Sequence, residues 1–108
     1  MGEVLDFPYA HPTWSRESAE AIAKSEGLKL TDDHWELIRA LQEYFNRNWR
    51  GPVRIQPLHD ALEEKFHHKG GLKYLYTLFP GGPVAQGCRL AGLNPPAGAS
   101  DKGFGSAA

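Results

Sequence analysis

The run LTDDHWELIRALQEYFNRNW, residues 30–49, decides the fold class of this 108-residue chain. Thr31 belongs to the residue types whose side-chain oxygen can accept from the exposed N–H groups of a helix start. Asp32 and Asp33 follow at the positive end of the helix dipole, and Leu30 is placed to pack on Trp35 as a hydrophobic staple. Trp35, Ile38, Leu41, Phe45 and Trp49 then recur every three or four residues, which is the spacing of one helix face. The pattern predicts a helix with that stripe turned to a core. Gly51-Pro52 ends it, because proline excludes the helical conformation from the residue before it.

Working outward in both directions, the same signals predict four more short helices. One runs from about Ser15 to Glu26 with Trp14, Ala19, Ile22 and Ala23 on one side and Gly27 as its stop. One starts at Pro57, whose fixed backbone suits a first helical position, and turns Leu58, Leu62 and Phe66 inward. Lys65, His67, His68 and Lys69 sit at its negative end, before Gly70-Gly71. A fourth covers Leu72 to Phe79, and a fifth covers Pro83 to Gly92 with Val84, Cys88 and Ala91 at i, i+4 and i+7. Five short helices joined by tight Gly/Pro turns imply a mainly α, orthogonal helical bundle. VLDF near the N-terminus and VRI at Val53 to Ile55 are the strand-like runs, and both are too short to stand alone.

Length and composition bound the rest. One domain fits, expected over residues 1–92, and the Gly, Pro, Ala and Ser-rich residues 93–108 have too little apolar surface to offset their ordering entropy. They are expected to form a flexible arm. No apolar run approaches the ~20 residues that span a bilayer, and MGEVLDFPYAHPTW lacks the pattern of a signal peptide, so a cytoplasmic protein without membrane partners is expected. The single cysteine, Cys88, excludes an internal disulfide and a thiolate metal site.

The net charge of −1 conceals an asymmetry: residues 1–36 hold eight acids against three bases, whereas residues 47–73 hold six bases against three acids. Arg54, Lys65, Lys69, Lys73 and Arg89 are the candidate partner-binding cations. Lys65, Lys69 and Lys73 could also face phosphates in a helix-turn-helix DNA reader, the alternative class, but a near-neutral monomer lacks the charge that supplies most such affinity. His59, Glu63 and His67 follow one another at i, i+4 spacing. Three ligands in one line on one helix do not close a tetrahedral metal site, so solvent-facing histidines account for them and no metal is assigned. No phosphate loop, nucleophile elbow or paired-histidine motif is present, and no cofactor is expected. Cys88 is the candidate sulfur-binding thiol. Its place toward a helix C-terminus opposes thiolate formation and equally suits an inert, buried residue.

The run KYLYTLFPGGPVAQGCRLAGLNPP, residues 73–96, closely resembles the DsrC/TusE/DsvC family of sulfur-relay proteins, as does LKLTDDHWELIRALQEYF at residues 28–45. The resemblance implies a small helical bundle with an N-terminal β-hairpin, reduced here, and a C-terminal arm that enters a partner's active site. In the family the arm ends in a penultimate cysteine that accepts or donates sulfur, and an upstream cysteine stands where this chain has Cys88. Ala99 occupies the place of the penultimate cysteine. The family's Pro-Lys-Pro is Asn94-Pro95-Pro96 here, and residues 100–108 extend past the usual terminus. The resemblance therefore implies a sulfur-carrier or sulfurtransferase-type accessory protein rather than an enzyme in its own right. Its partner would be a sulfite reductase-like protein or a sulfurtransferase relay component, and the loss at Ala99 points to a docking or regulatory member.

Overall fold

The computed structural model describes residues 7–99. Five helices follow in order: α1 (Arg16–Ser25), α2 (Asp32–Arg47), α3 (Ile55–Lys65), α4 (Gly71–Leu78) and α5 (Ala85–Ala91), with a 3-10 turn (His67–Lys69) between α3 and α4. No strand occurs among the described residues. The expected N-terminal hairpin falls largely on residues 1–6, outside them, and Phe7 to Trp14 form turns.

Helix α5 is the central element. It packs on α1 and α2, while α3, the 3-10 turn and α4 form the other side of the core. Ala85, Gln86, Gly87, Cys88, Leu90 and Ala91 are all buried, so this seven-residue helix is enclosed on nearly every side. A helix that short has little intrinsic stability, and its neighbours supply what its length lacks. Close approach requires Gly87, where an added Cβ would stand 2.8 Å from Leu41 Cδ1 of α2. Gly92, at φ 78°, ends α5 in the left-handed conformation, and both its N–H and that of Leu93 donate to the Cys88 carbonyl.

The helix starts follow local chemistry. At α1, Ser15 and Ser18 cap each other reciprocally: the Ser18 N–H donates to Ser15 Oγ at 3.1 Å and the Ser15 N–H to Ser18 Oγ at 3.2 Å. At α2, the Thr31 N–H donates to His34 Nδ1 at 3.0 Å, with the Thr31 hydroxyl 2.9 Å from the same nitrogen. Nε2 therefore carries the ring proton and donates to the Leu78 carbonyl at the end of α4, 2.8 Å away. The helix cap is thus also a tertiary tie. Burial holds the imidazole below its usual basicity.

Two expectations need correction. Helix α3 begins at Ile55 rather than Pro57, because the first turn of a helix has no intrahelical use for its N–H groups and tolerates proline beyond the first position. Trp49 is not on the core stripe: α2 ends at Arg47, the chain turns, and the indole is 72% exposed with the Arg50 guanidinium 4.9 Å from its ring.

Candidate functional site

The chemistry-bearing residues converge on α5 and on the segment that follows it. Cys88 is fully buried within the hydrophobic core. Removal from water penalises the thiolate, and the pKa is pushed up to about 12 from 9.0.

Residues 93–99 lie against the body. Leu93 and Ala99 pack on the core, the Ala99 N–H donates to the Pro96 carbonyl at 3.1 Å, and a Cβ on Gly98 would sit 3.1 Å from Ile55 Cγ2 of α3. The expected arm otherwise falls on residues 100–108, outside those described. Ala99 lines a small cleft of about 140 Å³ with His59 of α3, Tyr76 of α4, the Gly82 turn, Val84 at the cap of α5 and Ala85 of α5. Cys88 stands one helical turn beyond Val84 and is not among the lining residues.

The turn that forms one wall of this cleft is fixed by polar contacts that sequence reasoning did not find. The Gly81 N–H donates to Gln86 Oε1 at 2.9 Å, and Gln86 Nε2 donates to Glu26 Oε1 at 2.8 Å. Arg89 grips the same carboxylate through Nε at 2.8 Å and Nη2 at 3.0 Å. The Arg89 bonds hold the Glu26 carboxyl below its usual range, with Gln86 adding to the effect. From the other side, Trp14 Nε1–H donates to the Leu90 carbonyl at 2.7 Å, and Gln42 Nε2–H to the Ala91 carbonyl at 3.0 Å. A glutamine followed by a glycine and a cysteine in a short helix was the available signal, because a buried amide needs partners.

The candidate cations fare differently. Arg54, Lys65 and Lys73 are exposed. Lys69 is also exposed, but its ammonium lies 2.7 Å from Asp33 Oδ1, and the Tyr74 hydroxyl donates to the other oxygen of that carboxylate. Lys69 first and Tyr74 second hold the Asp33 carboxyl below its usual range. Arg89 is half-buried on Glu26. The His59, Glu63, His67 line does not converge. Glu63 Oε1 accepts the Leu72 N–H at 2.8 Å, capping α4, and a Cβ on Gly71 would overlap its carboxyl, whereas His59 faces the Ala99 cleft. No group of three metal-ligating side chains assembles among the described residues, and no helix of the described residues is long and apolar enough to cross a membrane.

A small helical body of five short helices, whose C-terminal segment lies against an enclosed, cysteine-bearing helix, defines a class of compact α proteins. The model of the "DsrC like protein" family matches residues 6–99, and the chain belongs to that family. Sulfurtransferase TusE of Salmonella paratyphi A is 42% identical over 84 residues, which cover 77% of this chain and 76% of the relative. Sulfurtransferase TusE of Escherichia coli K12 is 39% identical over the same shares. The NMR structure of Allochromatium vinosum DsrC superposes with a TM-score of 0.66 at 38% identity, covering 87% of each chain. Nothing in these likenesses favours the DNA-binding alternative.

Proposed function

We propose that this chain acts in a cytoplasmic sulfur relay as a docking member that engages a sulfite reductase-like or sulfurtransferase partner without carrying sulfur itself. The single observation that carries the reading is Ala99: the family's arm presents a thiol at this position, and a methyl group cannot hold sulfur. Cys88 does not compensate. Loading requires a thiolate to attack the outer sulfur of a donor persulfide, forming one S–S bond and releasing the donor thiolate, and a fully buried thiol with its pKa near 12 is both shielded and protonated. In this reading residues 1–92 are the body and residues 93–108 the arm that enters the partner. Arg54, Lys65 and Lys73 are the cations available to the docking face, while Lys69 and Arg89 serve internal ion pairs.

The test compares native wild type with Ala99→Cys after exposure to a persulfide donor. The variant is expected to gain one sulfur mass and pass it to an acceptor thiol, and the wild type to gain none. Loading of the wild type equal to that of the variant, and lost in Cys88→Ala, would overturn the reading.

A further inference from the structure

The loop between α2 and α3 is built unlike the rest of the surface. Trp49, at 72% exposure, is the most exposed large apolar side chain among the described residues, ahead of Tyr9 and Tyr76 at 39% each. Three arginines accompany it, Arg47, Arg50 and Arg54, and no acidic residue occurs from Tyr44 to His59. Arg47 is spoken for by Glu43 at 2.6 Å, and Arg50 rests on the Trp49 ring. Beside the loop lies an open cleft of about 480 Å³ with Arg54 in its lining. Its apolar walls come from Phe45, Pro52, Val53, Ile55, Pro57 and Pro96.

We propose that this cleft, lined by Arg54 and adjoining the loop that carries Trp49 and Arg50, docks an acidic segment of a partner protein through one bulky apolar anchor. Charge complementarity selects the occupant: an acid-free lining that holds Arg54, continued by the acid-free loop with Arg50, attracts carboxylates and repels a basic partner. The apolar walls select the anchor, since burying a Phe- or Leu-sized group there removes apolar surface from water. Tryptophan and arginine are the residue types that dominate binding energy at protein interfaces. Prolines at 52, 57 and 96 keep the walls rigid, which lowers the ordering cost of binding. RNA is the other polyanion that stacks on tryptophan and pairs with arginine, but the mainly apolar lining of the cleft and the net charge of −1 favour a peptide. Because Asn94, Pro96 and Ala97 form one wall, the cleft adjoins the arm, and a partner seated in it is positioned to meet the arm as well. The inference builds on the docking role proposed above, but its test involves no sulfur and stands or falls separately.

Fluorescence anisotropy of the full chain with the fluorescein-labelled peptide EDEFLEDE provides that test, with the basic peptide KRKFLKRK and a polyuridine oligonucleotide as competitors for the assignment. Saturable binding of the acidic peptide is expected, weakened about tenfold by Trp49→Ala, by Arg54→Glu and by high salt. Both substitutions are at exposed positions, so unchanged urea unfolding of each variant shows that the loss is one of contact. Absence of saturable binding, indifference to both substitutions, or tighter binding of the basic peptide or the oligonucleotide would overturn the proposal.

Discussion

Two regions of this molecule use the same kinds of residue in opposite ways. Around α5, polar and aromatic groups turn inward and tie the elements together: Gln86 joins Gly81 to Glu26, Arg89 grips that carboxylate twice, and Trp14 and Gln42 donate to the last carbonyls of the helix. In the α2–α3 loop, Trp49 turns outward with Arg50 over its indole, and Arg54 is exposed beyond it. A buried amide or carboxylate contributes because leaving its partner unpaired is costly, whereas an exposed tryptophan contributes almost nothing to the fold. The first region therefore holds the body of the protein in one arrangement, and the second adds little to it.

The largest expected effect strikes the inward region. Gln86→Leu keeps the volume but strands the buried Gly81 N–H and strips a donor from Glu26, and it should lower the unfolding free energy in urea by about 2–3 kcal/mol. A loss below about 0.5 kcal/mol would mean that water replaces the glutamine, and the contrast between the regions would weaken. Cys88→Ala removes a sulfur from a filled core and should cost on the order of 1 kcal/mol by the same measurement. A cost near zero would place the side chain in slack space rather than in packed core.

A smaller effect comes with pH through His34. Burial lowers its pKa below 6.5, so the unfolded chain binds a proton in a range where the folded chain does not. Its contribution is complete above pH 6.5 and is lost as pH falls below that value toward the depressed folded value. Glu26 and Asp33, also lowered, add their own losses beneath their ordinary values of 4.5 and 3.8. Urea midpoints should therefore decline between pH 7 and pH 5 in the wild type and decline less in His34→Gln. An equal decline in both would assign the slope to another group. The smallest effect is expected at Trp49→Ala, within about 0.5 kcal/mol of wild type. A larger loss would show that the loop, too, belongs to the folded core.

Those parts of the structure that arise within a turn or two of chain were legible in the sequence. The start of α2, the glycine stop of α5 and the burial of Cys88 on a helix face with Val84 and Ala91 follow from capping, handedness and periodicity. Legibility ended where geometry depends on distant partners. His34 bonds to Leu78, Gln42 to Ala91 and Gln86 to Glu26 across 44 to 60 residues of chain, and no local pattern announces such pairings. Trp49 departs from the expected core stripe for a related reason. It continues the i, i+4 spacing from Phe45, but α2 ends at Arg47, and a periodic residue beyond the last turn no longer shares the helix face. At the candidate site, Ala99 is read directly from the sequence, while the cleft that receives it is composed from α3, α4 and the start of α5 together.

Intact-mass analysis of the native wild-type chain after treatment with a persulfide donor, paired with the same treatment in denaturant, tests most directly whether Cys88 is a core residue or a carrier. The buried, protonated thiol should leave the native mass unchanged and gain sulfur only once the chain is unfolded. One sulfur mass added stoichiometrically to the folded protein, and passed on to an acceptor thiol, would contradict it.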